Sequence, residues 1–273
     1  MLDQAHDLRR LATRRSGAES LRCDGRPAMV VVVGGKGGVG TTTVALSLAT
    51  AAKAGRRTLL VDADSRGGDL ALVCGIEERY TLADVLAGRR TWNEAVCPGP
   101  AGVAVVVGQR GWHDGRNPAA AAGHLLEQFD RQDIAAKLVV IDAGNRLDGA
   151  AAQLCREANA VVMVTSGEAA AVVGAFAGIK ALAAASNGSR RPALYLLVNM
   201  APSARIAETV YYRLARTCRR MLGIELQSAG RLGIARRANK NSKNSRSSAI
   251  GLNLQVDWAD TVRGVLVVEG LAN

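Results

Sequence analysis

Ten residues near the start of the chain, Gly34-Gly35-Lys36-Gly37-Gly38-Val39-Gly40-Thr41-Thr42-Thr43, hold five glycines and three consecutive threonines. Glycine at that density lets a backbone curl tightly and turn several N–H groups towards one point, which makes a cradle for phosphate. The flanks of the segment limit the fold further. Residues 28–33 form a continuous apolar, β-branched run, the pattern of a strand buried on both faces. Residues 42–54 are alanine-rich and read as a helix. Strand, glycine-rich turn and helix in that order make a P-loop, G-x-x-x-x-G-K-[ST], whose helix N-terminus adds its dipole to the phosphate site. Gly35, Gly40 and Thr42 stand at matching positions, and Thr42 offers the hydroxyl that ligates Mg²⁺ in such loops. Thr41 stands where the lysine belongs.

The rest of the chain repeats the alternation. Short apolar runs at 58–61, 103–107, 138–141, 161–164 and 194–198 read as strands, and residues 225–227 as a further short one. Helical stretches lie at 81–87, 118–129, about 168–185 and 204–222. This predicts an α/β fold, a parallel twisted sheet with helices on both faces, of the P-loop NTPase kind. Ligands in such sheets gather at the carboxyl ends of strands. Lys36, Asp62, Asp64, Asp142 and Asn199 each follow a predicted strand.

Ahead of this domain, residues 1–15 read as a short amphipathic helix and residues 16–27 as a Ser/Gly/Pro-bearing linker. Residues 28–273 read as the nucleotide-binding domain. Within it, residues 235–249 form a basic, Asn/Ser-rich stretch expected to be a mobile loop, and residues 256–271 a last helix. That helix carries Asp257, Asp260, Arg263 and Glu269. Its acidic balance favours docking on the domain over membrane binding, which wants Lys and Arg on the polar face.

Composition removes several classes. No apolar run is long enough for a membrane span, and the N-terminus lacks the apolar core of a secretory signal. Five cysteines (Cys23, Cys74, Cys97, Cys155, Cys218) are dispersed without a CxxC pair, as reduced thiols of a cytoplasmic protein would be. His6, His113 and His124 have no metal-ligand spacing. The net charge of +11 is concentrated between residues 203 and 250, where eleven Arg and Lys face two Glu. Such a surplus suits an anionic partner. Aromatic content of 3% leaves little for base stacking, so nucleic acid is the weaker partner reading.

The run GGKGGVGTTTVALSLATAAKAGRRTLLVDAD resembles the MinD/ParA/FlhG group of deviant Walker ATPases, whose lysine comes early, in K-G-G-x-G-x-T. The resemblance implies ATP and Mg²⁺ as cofactors, bound by Gly35, Lys36, Gly37, Gly38, Val39, Gly40, Thr41, Thr42 and Thr43. It makes Lys36 the signature lysine, which reaches across an ATP-sandwiched homodimer to the partner's phosphates. Asp62-Ala63-Asp64 looks like the group's D-x-D switch, in which the first Asp helps hold the magnesium shell and the second positions the attacking water. Leu138-Val139-Val140-Ile141-Asp142 looks like the Walker B strand, with Asp142 touching magnesium through water. Asn199 matches the Asn that contacts adenine. Lys36 and Asp64 are thus the implied catalytic residues; Thr42, Asp62 and Asp142 serve the metal. Thr41 departs from the pattern. The missing lysine normally neutralises the β- and γ-phosphates, so weaker nucleotide binding and slow or absent hydrolysis are expected.

Within the group, Asp3, Gln4, Ala5, Leu8 and Arg9 reproduce the D-Q-A-x-x-L-R element of FlhG-type (FleN or YlxH) proteins. The resemblance implies that this helix docks on the signal-recognition-type GTPase FlhF and stimulates it, with Gln4 projected towards the GTPase site. It covers roughly residues 3–230 and implies a regulator of flagellar number and placement, cytoplasmic, with possible peripheral contact at the inner membrane face or cell pole. Two alternatives remain. One is a TadZ/CpaE-like localisation scaffold, whose loops are often similarly altered. The other is a ParA-like DNA-partitioning ATPase, prompted by the basic last third.

Overall fold

The structure, a computed structural model, describes residues 26–53, 57–113, 117–130, 136–147, 149–185 and 191–233. The N-terminal helix with Asp3, Gln4, Ala5, Leu8 and Arg9, the basic stretch 235–249 and the helix expected at 256–271 lie outside the described residues.

The chain alternates strand and helix as expected. Strand β1 (Ala28–Gly34) leads through the glycine-rich loop to α1 (Thr41–Lys53), followed by β2 (Thr58–Asp62) and three short helices, α2 (Leu70–Cys74), α3 (Leu82–Leu86) and α4 (Trp92–Ala95). A small hairpin, β3 (Cys97–Pro98) and β4 (Ala104–Val106), precedes α5 (Pro118–Asp130) and β5 (Leu138–Asp142). Then come α6 (Gly149–Glu157), β6 (Ala160–Thr165), α7 (Ala169–Ala185), β7 (Ala193–Val198), α8 (Ala204–Leu222) and β8 (Gln227–Arg231).

The strands form one eight-stranded sheet in the order β3-β4-β2-β5-β1-β6-β7-β8. All neighbours are parallel except β3 on β4. Central β1 lies between β5 and β6, where the strand order reverses, and the crevice of such a sheet opens at that point. The period-two alternation of β1 sorts its side chains. Met29, Val31 and Val33 join one core with Leu125 and Phe129 of α5, Leu154 of α6, Ile179 of α7 and Leu214 of α8. Val30 and Val32 join the other, with Leu46 of α1 and Leu70 of α2. Residues of the inner strands β1, β2, β5 and β6 are buried on both sides, which is why these strands read as unbroken apolar runs.

Helix α8 shows how sequence sets an element. Ser203 caps its start by accepting from Ile206 N–H, and Gly223, at φ 65°, closes its end in the left-handed conformation that glycine tolerates best. Ala207, Val210, Leu214 and Cys218, three and four apart, are its buried face.

Four elements were not read from the sequence. Helices α2 and α4 and strand β3 are too short for a period to show, and α6 buries Ala150, Ala151, Leu154 and Cys155, a face of mostly small residues. Strand β8 lies later than residues 225–227 suggested, because Gly223 ends α8 and Ile224 and Leu226 turn into the core before pairing begins.

Candidate functional site

The carboxyl ends of β1, β2, β5, β6 and β7 bring the candidate residues together. The root of the loop is tied to its neighbours: Gly34 N–H donates to Gly144 O at 2.8 Å and Gly35 N–H to Val164 O at 2.9 Å. Helix α7 passes close over that root. A Cβ on Gly35 would come 2.5 Å from the Ala175 nitrogen, and one on Gly174 would overlap the Gly35 carbonyl, so both glycines are needed for the approach. The loop then rises to Lys36, Gly37 and Gly38, all exposed, and drops to buried Val39.

Asn199, at the end of β7, clamps the far side of the loop. Its amide Nδ2 donates to Val39 O at 2.8 Å and its Oδ1 accepts from Met200 N–H. A Cβ at Gly40 would come 2.5 Å from that Nδ2. The structure therefore gives Asn199 a role in shaping the loop, which the sequence did not announce.

Thr41 is buried, and a Cβ on Gly34 would overlap its hydroxyl. The residue in the lysine's position thus packs beneath the loop. Thr42, one residue on, puts its hydroxyl beside the Asp142 carboxyl. Thr43 lies within the first turn of α1, where its carbonyl accepts from Ser47 Oγ.

Asp62 and Asp142 end adjacent strands in register. Asp142 accepts from Gly144 N–H at 3.1 Å and Asp62 from Asp64 N–H at 3.1 Å. Asp62 Oδ2 and Asp142 Oδ2 are both buried and have no hydrogen-bond partner among the described residues. Burial, then the nearby Asp142, pushes the Asp62 carboxyl up to about 8. Burial pushes Asp142 up to about 6, against the pull of the Thr42 hydroxyl and the Gly144 N–H. Buried, unpaired carboxylate oxygens carry a large desolvation cost, which a bound cation offsets. Two carboxylates and a hydroxyl suit Mg²⁺, which keeps several waters and takes phosphate oxygens for its remaining ligands. The residues present fit that ion. Among the described residues no three His, Cys, Asp or Glu could hold a metal without such help.

Asp64 lies near enough to this pair to push both carboxyls up, but its own partners differ. Its carboxylate crowds Gly144, accepts from Arg66 N–H at 3.0 Å and lies 3.5 Å from Arg66 Nη2. The loop bearing Asp62 and Asp64 is strapped down by the segment after β4. Trp112 Nε1 donates to Ala63 O at 3.0 Å, Gly111 N–H to Ser65 O at 2.8 Å and Arg110 Nε to Arg66 O at 3.1 Å. Lys36 leaves the cradle altogether: its Nζ pairs with Glu168 Oε2 at 3.0 Å, at the head of α7. Glu168, Trp112 and Arg66 were not singled out from the sequence. Their partners lie 132, 49 and 79 residues away, so only the fold joins them.

A glycine-rich loop at the sheet's reversal point, with two orphaned aspartates beside it, is matched by a known family. The CobQ/CobB/MinD/ParA nucleotide binding domain matches residues 30–252. The chain belongs to that family. The match runs past residue 230, where the sequence resemblance fades. Among curated relatives of this family member, the antiactivator FleN of Pseudomonas aeruginosa is 32% identical over 205 residues, covering 74% of this chain and 72% of FleN. The flagellum site-determining protein YlxH of Helicobacter pylori is 24% identical over 235 residues, covering 84% of this chain and 78% of YlxH. The cell division ATPase MinD of Pyrococcus furiosus superposes with a TM-score of 0.65 at 21% identity, over 90% of this chain and 99% of MinD, and shares the fold.

Proposed function

We propose that this protein is a nucleotide-dependent switch of the FlhG type that regulates flagellar number and placement through a signal-recognition-type GTPase, FlhF. The observation that carries the nucleotide half is the buried pair Asp62 Oδ2 and Asp142 Oδ2, unpartnered among the described residues beside an intact glycine cradle. In this reading, backbone N–H groups of residues 35–42 and the α1 N-terminus take the phosphates of ATP. Thr42, Asp62 and Asp142 hold the Mg²⁺ shell, and the ion supplies charge neutralisation on the phosphates. Asp64 positions water, and Asn199, through the loop or directly, serves the adenine side. Thr41 brings no charge to the transition state, so hydrolysis is slow or lost.

The flagellar half is supported by the likeness to FleN and YlxH and by the D-Q-A-x-x-L-R element at Asp3–Arg9. It is tested by mixing the full chain with its cognate FlhF-type GTPase and measuring GTP hydrolysis. Stimulation of about tenfold or more, reduced most of the way by Gln4→Ala, is expected for a positioned catalytic side chain. No stimulation by the wild-type chain sinks the flagellar assignment.

Helix α8 supports a second reading, a ParA-like ATPase that partitions DNA. Arg205, Arg213, Arg216, Arg219 and Arg220 are exposed on it, and none has an ion pair among the described residues. Tyr212, 67% exposed, stands among them. Arginine's planar fork suits phosphate, and an unpaired ridge of it suits a polyanion.

A further inference from the structure

The nucleotide site is short of positive charge. Asp62, Asp64 and Asp142 converge on it, and a magnesium-bound nucleoside triphosphate adds more negative charge than the ion removes. The lysine that offsets this in an ordinary P-loop is here Thr41, tucked under Gly34. Lys36 sits outside the cradle, 47% exposed and paired with Glu168.

A further cation, Arg66, stands at the junction of the site's loops. Arg66 Nη2 donates to Asn145 Oδ1 and lies 3.5 Å from Asp64 Oδ2. Asn145 is packed against the glycine-rich loop: a Cβ on Gly37 would come 2.9 Å from its Nδ2, and one on Gly34 would come 3.3 Å from its Cβ. Asp64 is packed against Gly144, the residue whose carbonyl holds Gly34 N–H. The guanidinium is therefore pinned between the loop after β2 and the loop after β5, and Asn145 links it to the loop after β1. Its backbone is fixed as well, by the bonds from Gly111 to Ser65 O and from Arg110 to Arg66 O. Asp62 and Asp142 end the strands that carry these two loops, beside the Thr42 hydroxyl, so a cation held there stands on the side of the cradle where a magnesium-bound terminal phosphate would lie. Its side chain is 43% exposed, open to a ligand, and a guanidinium carries five donors, more than Asp64 and Asn145 use.

We propose that Arg66 supplies, from the same chain, the positive charge that Thr41 lacks, and binds the terminal phosphate of the nucleotide. Asp64 and Asn145 act as its positioning residues. The proposal rests on the nucleotide-binding reading above. It assigns the charge a new address: the switch loop in place of the phosphate loop.

The test is a double-mutant cycle read by binding. Affinity for Mg·ATP and Mg·ADP is measured by titration calorimetry on the full chain, for the wild type, Arg66→Gln, Arg66→Lys, Thr41→Lys and Thr41→Lys with Arg66→Gln. Loss of a charge-assisted phosphate bond should weaken ATP binding by about 10- to 100-fold in Arg66→Gln and ADP binding by less than about threefold. Arg66→Lys, which keeps the charge, should retain most of the affinity. With Thr41→Lys in place, the effect of Arg66→Gln on ATP should shrink to about threefold or less, because the two cations then serve one phosphate and cease to act additively. Two results would overturn the proposal while leaving the nucleotide reading intact. One is unchanged ATP affinity in Arg66→Gln; the other is equal loss of ATP and ADP. If neither the wild type nor Thr41→Lys binds ATP, the nucleotide reading falls, and the proposal with it.

Discussion

Asp62 is the residue at which the demands of folding and of the site pull apart. Its carboxyl ends β2 almost fully buried, with Gly68 and Gly108 so near that a Cβ on either would crowd it. Burial raises it to about 8, far above the unfolded carboxylate value of about 3.9. The folded chain thus holds this proton more tightly than the unfolded chain does. The resulting stability is fully present below the unfolded pKa and is lost as pH climbs through about 8. Asp142, raised to about 6, loses its share earlier in the same climb. Metal-free protein should therefore melt at falling temperatures as pH rises from about 5 to about 9. Asp62→Asn is neutral throughout and should flatten that decline, melting about 3 °C or more above the wild type at alkaline pH. Thermal melts in a chelating buffer check it; a wild type whose melting temperature rises with pH over that range would show that the carboxyl is not strained. Mg²⁺ should narrow the gap between the two proteins, since the cation takes up the charge that burial penalises.

At the level of elements, most of the architecture was legible in the sequence. The inner strands β1, β2, β5, β6 and β7 are largely buried on both faces, so each reads as a short apolar run, and the aspartates and Asn199 follow from where those runs stop. The site was legible only to the depth of its motifs. Arg66 could be read as a charged loop residue, but its meeting with Asn145 depends on β2 and β5 pairing in register. The strap from Trp112 to Ala63 depends likewise on β4 lying against β2. Helix α8 is the opposite case, since its span of residues 204–222 was read directly from the sequence. Its exposed arginines make a prediction at this scale. Arg205 and Arg220 are fifteen residues apart, about 22 Å along the axis, enough to follow several phosphates of a duplex. If α8 meets nucleic acid, affinity for duplex DNA falls steeply with salt, and Arg216→Ala with Arg219→Ala lowers the slope of log K against log salt by about two. Filter binding or fluorescence anisotropy at a series of salt concentrations measures this. A slope unchanged by the two substitutions removes α8 from the interface and the second reading with it.

The whole molecule presents the phosphate loop at a rim. Lys36, Gly37 and Gly38 are exposed there beside the head of α7. Lys36 makes no bond into its own cradle among the described residues; its partner is Glu168, 70% exposed. A surface ion pair of this kind contributes about 0–1 kcal/mol, so the lysine is held lightly. The phosphates of a nucleotide bound in a second copy would be a stronger partner, because they carry several charges. If the chain forms the ATP-dependent homodimer proposed for it, Lys36 would exchange Glu168 for phosphate on the facing subunit. Sedimentation velocity with a slowly hydrolysed ATP analogue should then show a monomer becoming a dimer. Lys36→Ala should remain monomeric at every nucleotide concentration at which the wild type dimerises. Glu168→Gln frees the lysine without removing it, so it should dimerise at about two- to fivefold lower protein concentration, the weight of one surface pair. A Glu168→Gln protein that dimerises less readily than the wild type would mean that the glutamate belongs to the interface, and that the exchange runs through it.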